Sequence, residues 1–355
     1  MNVLFISRST LFTQYGGDTL QVEQTAKYLD EIGHNVDIKL CGEKIDIHKY
    51  DIVHFFNIIR PADLKVKIPK HIPLVVSSIY HDYSEYDQKY RGIATLFLYK
   101  LFGKFGMELI KAKMRWLNGS DGFPGFKYFF AGHRKSIKAV LKKSQYMFTT
   151  SHQEAELIKK EIGFIPPYKK INLGSEHISV RPANSRQGVL CAARIEGFKN
   201  QLNLIKALKK SDIQLTLTGA AAKNHSSYFE ICKKEAGENV TFKGRLPKKD
   251  LEKEFGKAKV HALISFYETT GLSTLEALKA GCKVVITNRG AQPEIFGERA
   301  HYCEPTDVLS IKKAVQNALN DNSNHQQWVE ENFSWKKAAQ EISDIYHVLT
   351  KKSTS

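Results

Sequence analysis

The chain has 355 residues, too many for one ordinary core and suited to two α/β domains. Hydrophobic residues make up 42% and charged residues 25%, which excludes a disordered or fibrous chain. The balance of 53 Lys and Arg against 37 Asp and Glu leaves a net charge of +16 and points to phosphate-rich partners.

Short β-branched runs alternate with helical periodicity, the pattern of βαβ units on parallel sheets. In the first half this predicts strands over 3–7, 36–40, 52–56, 74–79, 146–150 and 170–173. A helix near 19–32 is stopped by Gly33. Tyr15-Gly16-Gly17-Asp18 lies between the first strand and that helix, and its two glycines would let the backbone approach a diphosphate. Ser77-Ser78-Ile79-Tyr80-His81-Asp82 closes the fourth strand, and His54 ends the third, so either histidine could border a ligand. Each could equally be structural.

Residues 90–143 break the rhythm, with twelve basic residues against Glu108 and Asp121, a net +10. They read as an insertion of basic amphipathic helices with a turn at 118–122. Leu96, Phe97, Leu101, Phe102, Phe105, Trp116 and Phe123 are interleaved with the cations, as an interfacial helix on an anionic membrane requires. The alternative is that the apolar side packs on the sheet and the lysines are merely solvated.

The polar stretch 181–188 is the linker candidate, and the second half predicts strands over 189–193, 214–218, 240–243, 260–265, 283–287 and 301–303. The expected organisation is a domain over 1–180, a second over 188–332 and a closing helix over 333–355. The most informative stretch runs from Ser265 to Gly281, from a strand through a loop into a helix starting near Gly271. Thr269 or Thr270 could cap that helix, whose free N–H groups and positive dipole end would form a phosphate site. Glu268 precedes that site and Glu276 follows it by roughly 7–8 Å of helix at 1.5 Å per residue. Two carboxylates so placed can accept hydroxyls of a sugar and of a ribose on either side of a diphosphate.

Glu268 and Glu276, with Gly271, Leu272, Ala277 and Gly281, resemble the E-x7-E signature of glycosyltransferase family 4, the glycosyl transferases group 1. The family has a glycine and an aromatic after the first Glu, where this chain has Thr269 and Thr270. The resemblance implies an α/β fold with two Rossmann-like domains facing across a cleft (GT-B) and a C-terminal helix crossing back to the first domain. It implies a retaining glycosyltransferase, with Arg194 and Lys199 on the donor diphosphate and departing nucleotide. Growing phosphate charge needs preplaced cations, and cations at a helix start otherwise work against the dipole. It further implies Gly16 and Gly17 on the donor phosphates, His81 beside the reacting sugar, and Gly244-Arg245-Leu246 at the nucleobase. Thr270, Gly271, Leu272 and Glu276 complete the expected donor site.

No D-x-D pair occurs, so no metal ligand and no cofactor is expected beyond a nucleotide-sugar co-substrate, a UDP-sugar. The expected partners are that donor, a glycan or lipid-linked acceptor and an anionic membrane surface through 90–143. No nucleic acid is expected, because no recognition module is present. Five scattered cysteines (Cys41, Cys191, Cys232, Cys282, Cys303) without a C-x-x-C pair argue against disulfides and zinc. No apolar run is long enough to span a membrane, and 1–6 is too short an apolar opening for a signal peptide. The expected place is therefore cytoplasmic, on the inner face of the cell membrane. Open alternatives are a GT-B epimerase or phosphorylase, and a non-catalytic binder of anionic ligands.

Overall fold

A strand covered by helices on both faces must be largely apolar, and the central strands of this chain are. Val3, Leu4, Phe5, Ile52, Val53, Phe55, Val75 and Val76 are fully buried. The computed structural model describes residues 1–90, 92–175, 185–222 and 225–353. It resolves into two units, one formed by Met1–Gln88, Gly92–Gly174 and Ser334–Ser355, the other chiefly by Ser175–Phe333.

The first unit holds a six-stranded sheet in the order β2-β1-β3-β4-β5-β6. Its strands are β1 (Asn2–Ser7), β2 (Asn35–Leu40), β3 (Ile52–Phe56), β4 (Leu74–Ser77), β5 (Tyr146–Thr149) and β6 (Tyr168–Lys170), every pair parallel. Helices α1 (Gly17–Glu31), α2 (Ser84–Lys89), α3 (Ile93–Leu117), α4 (Phe126–Ala131), α5 (His133–Lys143) and α6 (His152–Ile162) follow in chain order.

Three expectations change here. β6 lies at Tyr168–Lys170 because β5 is only four residues long, and the pairing runs Met147↔Tyr168 to Thr149↔Lys170. Ile171 and Leu173, which suggested the later strand, are buried just beyond it. β4 stops at Ser77 because Ile79 takes a positive φ of 45°, which no strand accommodates. The insertion is also shorter than 90–143: α5 buries Ile137, Val140 and Leu141 in the core of the unit and so belongs to the sheet's own helical cover.

The second unit holds the sheet β12-β11-β10-β7-β8-β9, again parallel throughout. Its strands are β7 (Gln187–Ala192), β8 (Leu215–Thr218), β9 (Val240–Phe242), β10 (Ala258–Leu263), β11 (Lys283–Thr287) and β12 (His301–Cys303). The helices are α7 (Gln201–Leu208), α8 (Ser226–Glu235), α9 (Lys248–Lys257), α10 (Leu272–Lys279), α11 (Gln292–Phe296), α12 (Val308–Asn320) and α13 (Gln326–Asn332). Of the linker candidate, 181–184 lie outside the described residues, and Gln187 already pairs in β7. Arg186 is tied into this unit by donating to the carbonyls of Phe255, Ala258 and Ala280.

The final helix, α14 (Trp335–Ser353), returns to the first unit and packs along α1. Its amphipathic period buries Trp335, Ala338, Ala339, Ile342 and Tyr346. Gly174 allows the return, since a side chain there would sit 2.2 Å from the Trp335 nitrogen. The five cysteines are all free thiols. Among the described residues no helix is long and apolar enough to cross a membrane.

Candidate active site

In the second sheet β7 lies beside β10, and from these two strands the order runs outward in opposite directions. This is the doubly wound arrangement, in which the crevice beyond the carboxyl ends of the two central strands is where ligands bind. The loops leaving β7 and β10 meet there. Phe266 N–H donates to Phe198 O at 3.0 Å, and the Asn200 amide donates to Ile264 O at 3.2 Å and Pro305 O at 2.7 Å. Asn200 adopts φ 62°, a left-handed conformation that asparagine tolerates and that turns the chain into α7.

These links bring Lys199 onto Glu268. The Lys199 ammonium donates to Glu268 Oε1, and the Ser265 hydroxyl donates to the same oxygen at 2.6 Å. Glu268 is 4% exposed, and a carboxylate so buried needs donors; one of its oxygens receives two, one of them charged. Its backbone is braced as tightly: Ala291 N–H donates to Glu268 O at 2.9 Å, and Gly290 has φ 66°. A side chain on Gly290 would fall 2.2 Å from that carbonyl oxygen.

Gly271 is the N-cap of α10 with φ 68°, and no side chain caps the helix. Thr269 and Thr270 therefore do not play the capping part expected of them; the left-handed glycine turns the loop into the helix instead. Thr270 Oγ1, Thr274 Oγ1 and Gln292 Oε1 are buried and without a hydrogen-bond partner. A side chain on Gly271 would lie 3.1 Å from Gln292 Oε1 and 3.3 Å from Thr274 Oγ1, so these orphaned groups gather around the start of α10. Such groups are costly to bury unless something else satisfies them. Together with the first-turn N–H groups they form a polar cradle at a positive dipole end.

Arg194 is about half exposed, with Glu196 at 3.4 Å and its own carbonyl held by the Gln201 amide at 2.8 Å. Glu276 lies in the second turn of α10, half-buried. Gly244, Arg245 and Leu246 follow β9, and Gly244 has φ 64°. Beside them Gly219 closes β8 with φ 134°, where a side chain would lie 2.0 Å from Ala193 O.

Gly16, Gly17 and His81 belong to the first unit. Gly16 has φ −156°, an extended backbone open to any residue, and caps α1 with its N–H donating to Thr19 Oγ1 at 3.2 Å. Arg8 shapes the preceding loop through Asp18, Thr10 and the Gln14 carbonyl. His81 is half-buried and stacked on Tyr83, in a small pocket with Asp87, Lys104, Glu108 and His133. Its rival His54 is structural: it is fully buried, with Nδ1 2.6 Å from Tyr346 Oη and Nε2 2.8 Å from Ser77 Oγ. Burial pushes its pKa down to about 3.

Ser265, Thr274, Gly290 and Gln292 were not among the residues expected at this site. The sequence signal for the last two is weak, a Gly-Ala-Gln-Pro run after β11 with the proline at the start of α11.

A pair of Rossmann-like units, the second with this crevice, defines the GT-B class. Residues 176–335, which span most of the second unit, match the family model described as glycosyl transferases group 1. Among curated proteins the chain is 25% identical over 166 residues to the O-antigen chain mannosyltransferase B of Escherichia coli, covering 44% of this chain and 42% of that one. The matched stretch is thus less than half the length of that relative.

Among solved structures, the sucrose-phosphate synthase of Thermosynechococcus elongatus superposes with a TM-score of 0.72 at 16% identity, over 99% of each chain. Anabaena Alr3699/HepE in complex with UDP-glucose gives 0.70 at 14% identity, over 98% of this chain and 100% of that one. Likeness at this level establishes the fold.

Proposed function

We propose that this protein transfers a sugar from a nucleotide-sugar, a UDP-sugar, to a glycan or lipid-linked acceptor, with retention at the anomeric carbon and without a metal. The observation that carries the reading is the part-buried Lys199–Glu268 pair beside the unsatisfied cradle of Thr270, Thr274 and Gln292 at the start of α10. The family match over 176–335 supports it, as does a neighbour whose title gives a UDP-glucose complex.

In this reading the α10 N–H groups of Gly271 and Leu272, with Thr270, receive the diphosphate. Lys199 and Arg194 meet the charge that grows on the leaving nucleotide, a task that falls to side-chain cations because no D-x-D metal motif is present. Glu268 accepts sugar hydroxyls, Glu276 the ribose, and the backbone at Arg245 and Leu246 lies at the nucleobase. In the first unit Gly16 and Gly17 contact phosphate through their backbone, and His81 borders a sugar. The product would serve cell-surface polysaccharide or glycolipid synthesis on the cytoplasmic side of a membrane.

Product analysis tests the mechanism. NMR of the glycoside made in excess EDTA should show the anomeric configuration of the donor. An inverted product, or activity abolished by the chelator, would overturn the retaining, metal-independent assignment.

A further inference from the structure

The first unit carries an apolar surface that its own core leaves uncovered. α3 breaks at Gly103 (φ 64°, ψ −177°), and of its residues only Met107 and Ala112 are buried. Beyond the break a groove of about 490 Å³ opens between α3 and α4, lined by Lys113, Trp116, Phe123, Phe126 and Phe129. The Phe123 ring lies 4.9 Å from Trp116 and 5.0 Å from Phe126, so the walls are continuous aromatic surface. Phe126 is 72% exposed and Phe130 88%, with Met114 and Leu117 also exposed nearby. On the earlier turn of α3, Ile93, Phe97 and Leu101 repeat every fourth residue and are exposed as well. An exposed apolar patch of this extent marks an interaction site.

The charges decide what fits it. Three of the cations expected to face outward point inward instead. Lys104 pairs with Glu161 at 2.6 Å, Lys111 with Asp87 at 2.6 Å, and Arg115 with Asp121 at 2.9 Å. Lys100, Lys113 and Lys127 are exposed and make no ion pair among the described residues, and Lys113 stands on the rim of the groove. No acidic side chain lines the groove. Aromatic side chains with the Lys113 ammonium at their rim complement a surface that is apolar inside and anionic at its edge.

We propose that this face docks on an anionic lipid bilayer. Phe126 and Phe130 enter the interface, one lipid chain lies in the groove against Trp116, and Lys113 and Lys127 meet headgroup phosphates. This deepens the membrane-side placement proposed above and names the residues that produce it. It does not depend on the donor chemistry, so its failure and the failure of the transferase reading are distinguishable.

The test uses the full chain with vesicles of phosphatidylglycerol and phosphatidylcholine, with and without brominated acyl chains. Trp116 is one of three tryptophans, and Trp335 is buried. Brominated chains should quench fluorescence in the wild type, and Trp116→Phe should abolish that quenching. The double variant Phe126→Ser, Phe130→Ser should lose at least about tenfold in vesicle affinity, since two exposed phenyl groups supply much of the apolar contact. Its thermal unfolding and its turnover of a soluble acceptor should be unchanged. Lys113→Glu should weaken binding only on anionic vesicles.

The proposal is overturned if the chain ignores anionic vesicles at low salt, or binds them without quenching Trp116. It is equally overturned if the wild type forms a dimer that the Phe variants break, which would make a second copy the occupant of the groove. Should the double variant fail to fold, the quenching comparison with Trp116→Phe still decides.

Discussion

A carboxylate as buried as Glu268 needs donors, and Ser265 and Lys199 supply them on one oxygen. Lys199→Ala should therefore act twice. If Lys199 meets the leaving group as proposed, the variant loses that cation and kcat should fall by about 10²- to 10³-fold; it also leaves a buried carboxylate less well paired, which should lower stability. Ser265→Ala keeps the cation and should cost about 1 kcal/mol with a smaller kinetic effect; steady-state kinetics and urea unfolding of the two variants separate these roles. In the first unit Glu154 has a comparable hold on the segment leading to His81. It accepts from Ser78 Oγ at 2.5 Å, Tyr80 N–H at 2.8 Å, Thr150 N–H at 2.9 Å and Thr150 Oγ1 at 3.0 Å. Between two of those donors lies Ile79, a β-branched residue at φ 45°. Glu154→Ala should cost at least about 3 kcal/mol, because several buried donors lose their acceptor together; a loss under about 1 kcal/mol in urea unfolding would refute the role. The E-x7-E spacing was readable in the chain because both glutamates sit on one short motif. The partners of Glu268 and Glu154 were not, since Ser265 and Ser78 look like any loop serine until the strands are paired.

Among the elements, the strand ends depend on glycines that admit a neighbouring backbone. Gly290→Ala would drive a methyl into the Glu268 carbonyl and force an alanine to φ 66°, so a loss of roughly 2 kcal/mol in stability is expected. Donor turnover should fall with it, because the displaced residue is Glu268; a variant with wild-type melting and turnover would show that the brace is unimportant. α14 is held differently, by Tyr346 on His54 and by Ser343 on His34 at 2.7 Å. Tyr346→Phe should cost about 1–3 kcal/mol by leaving His54 Nδ1 unpaired in the interior. Strand positions were legible because strands buried on both faces read as continuous apolar runs. β6 was misplaced because burial continues past its last paired residue. The α10 cap was misread because a left-handed glycine, which leaves no side-chain signature, does what a threonine could have done.

At the scale of the whole molecule, stability should depend on pH through histidines buried without charge. Burial pushes His54 in the first unit and His261 in the second each down to about 3. The unfolded chain binds those protons near pH 6.5 while the folded chain refuses them until about pH 3, so their contribution is complete above pH 6.5 and falls as pH is lowered. Each can contribute a slope of up to about 1.4 kcal/mol per pH unit between those limits. Urea unfolding at pH 7.5 and pH 5 should show the loss, and His54→Asn should reduce it. The two-unit architecture was evident from the alternation of strands and helices, and the net +10 of residues 90–143 marked a charged surface. Which cations face outward was not evident, because Glu161 and Asp87, which turn Lys104 and Lys111 inward, lie outside or at the edge of that segment. Sugar transfer is proposed to take place at the crevice beyond β7 and β10. Nucleoside-diphosphate release from a panel of UDP-sugars, with and without a glycan or lipid-linked acceptor, tests it most directly. Release should require the acceptor, persist in EDTA and fall by about 10²-fold or more in Lys199→Ala. Release that ignores the acceptor, or that Lys199→Ala leaves intact, would contradict it.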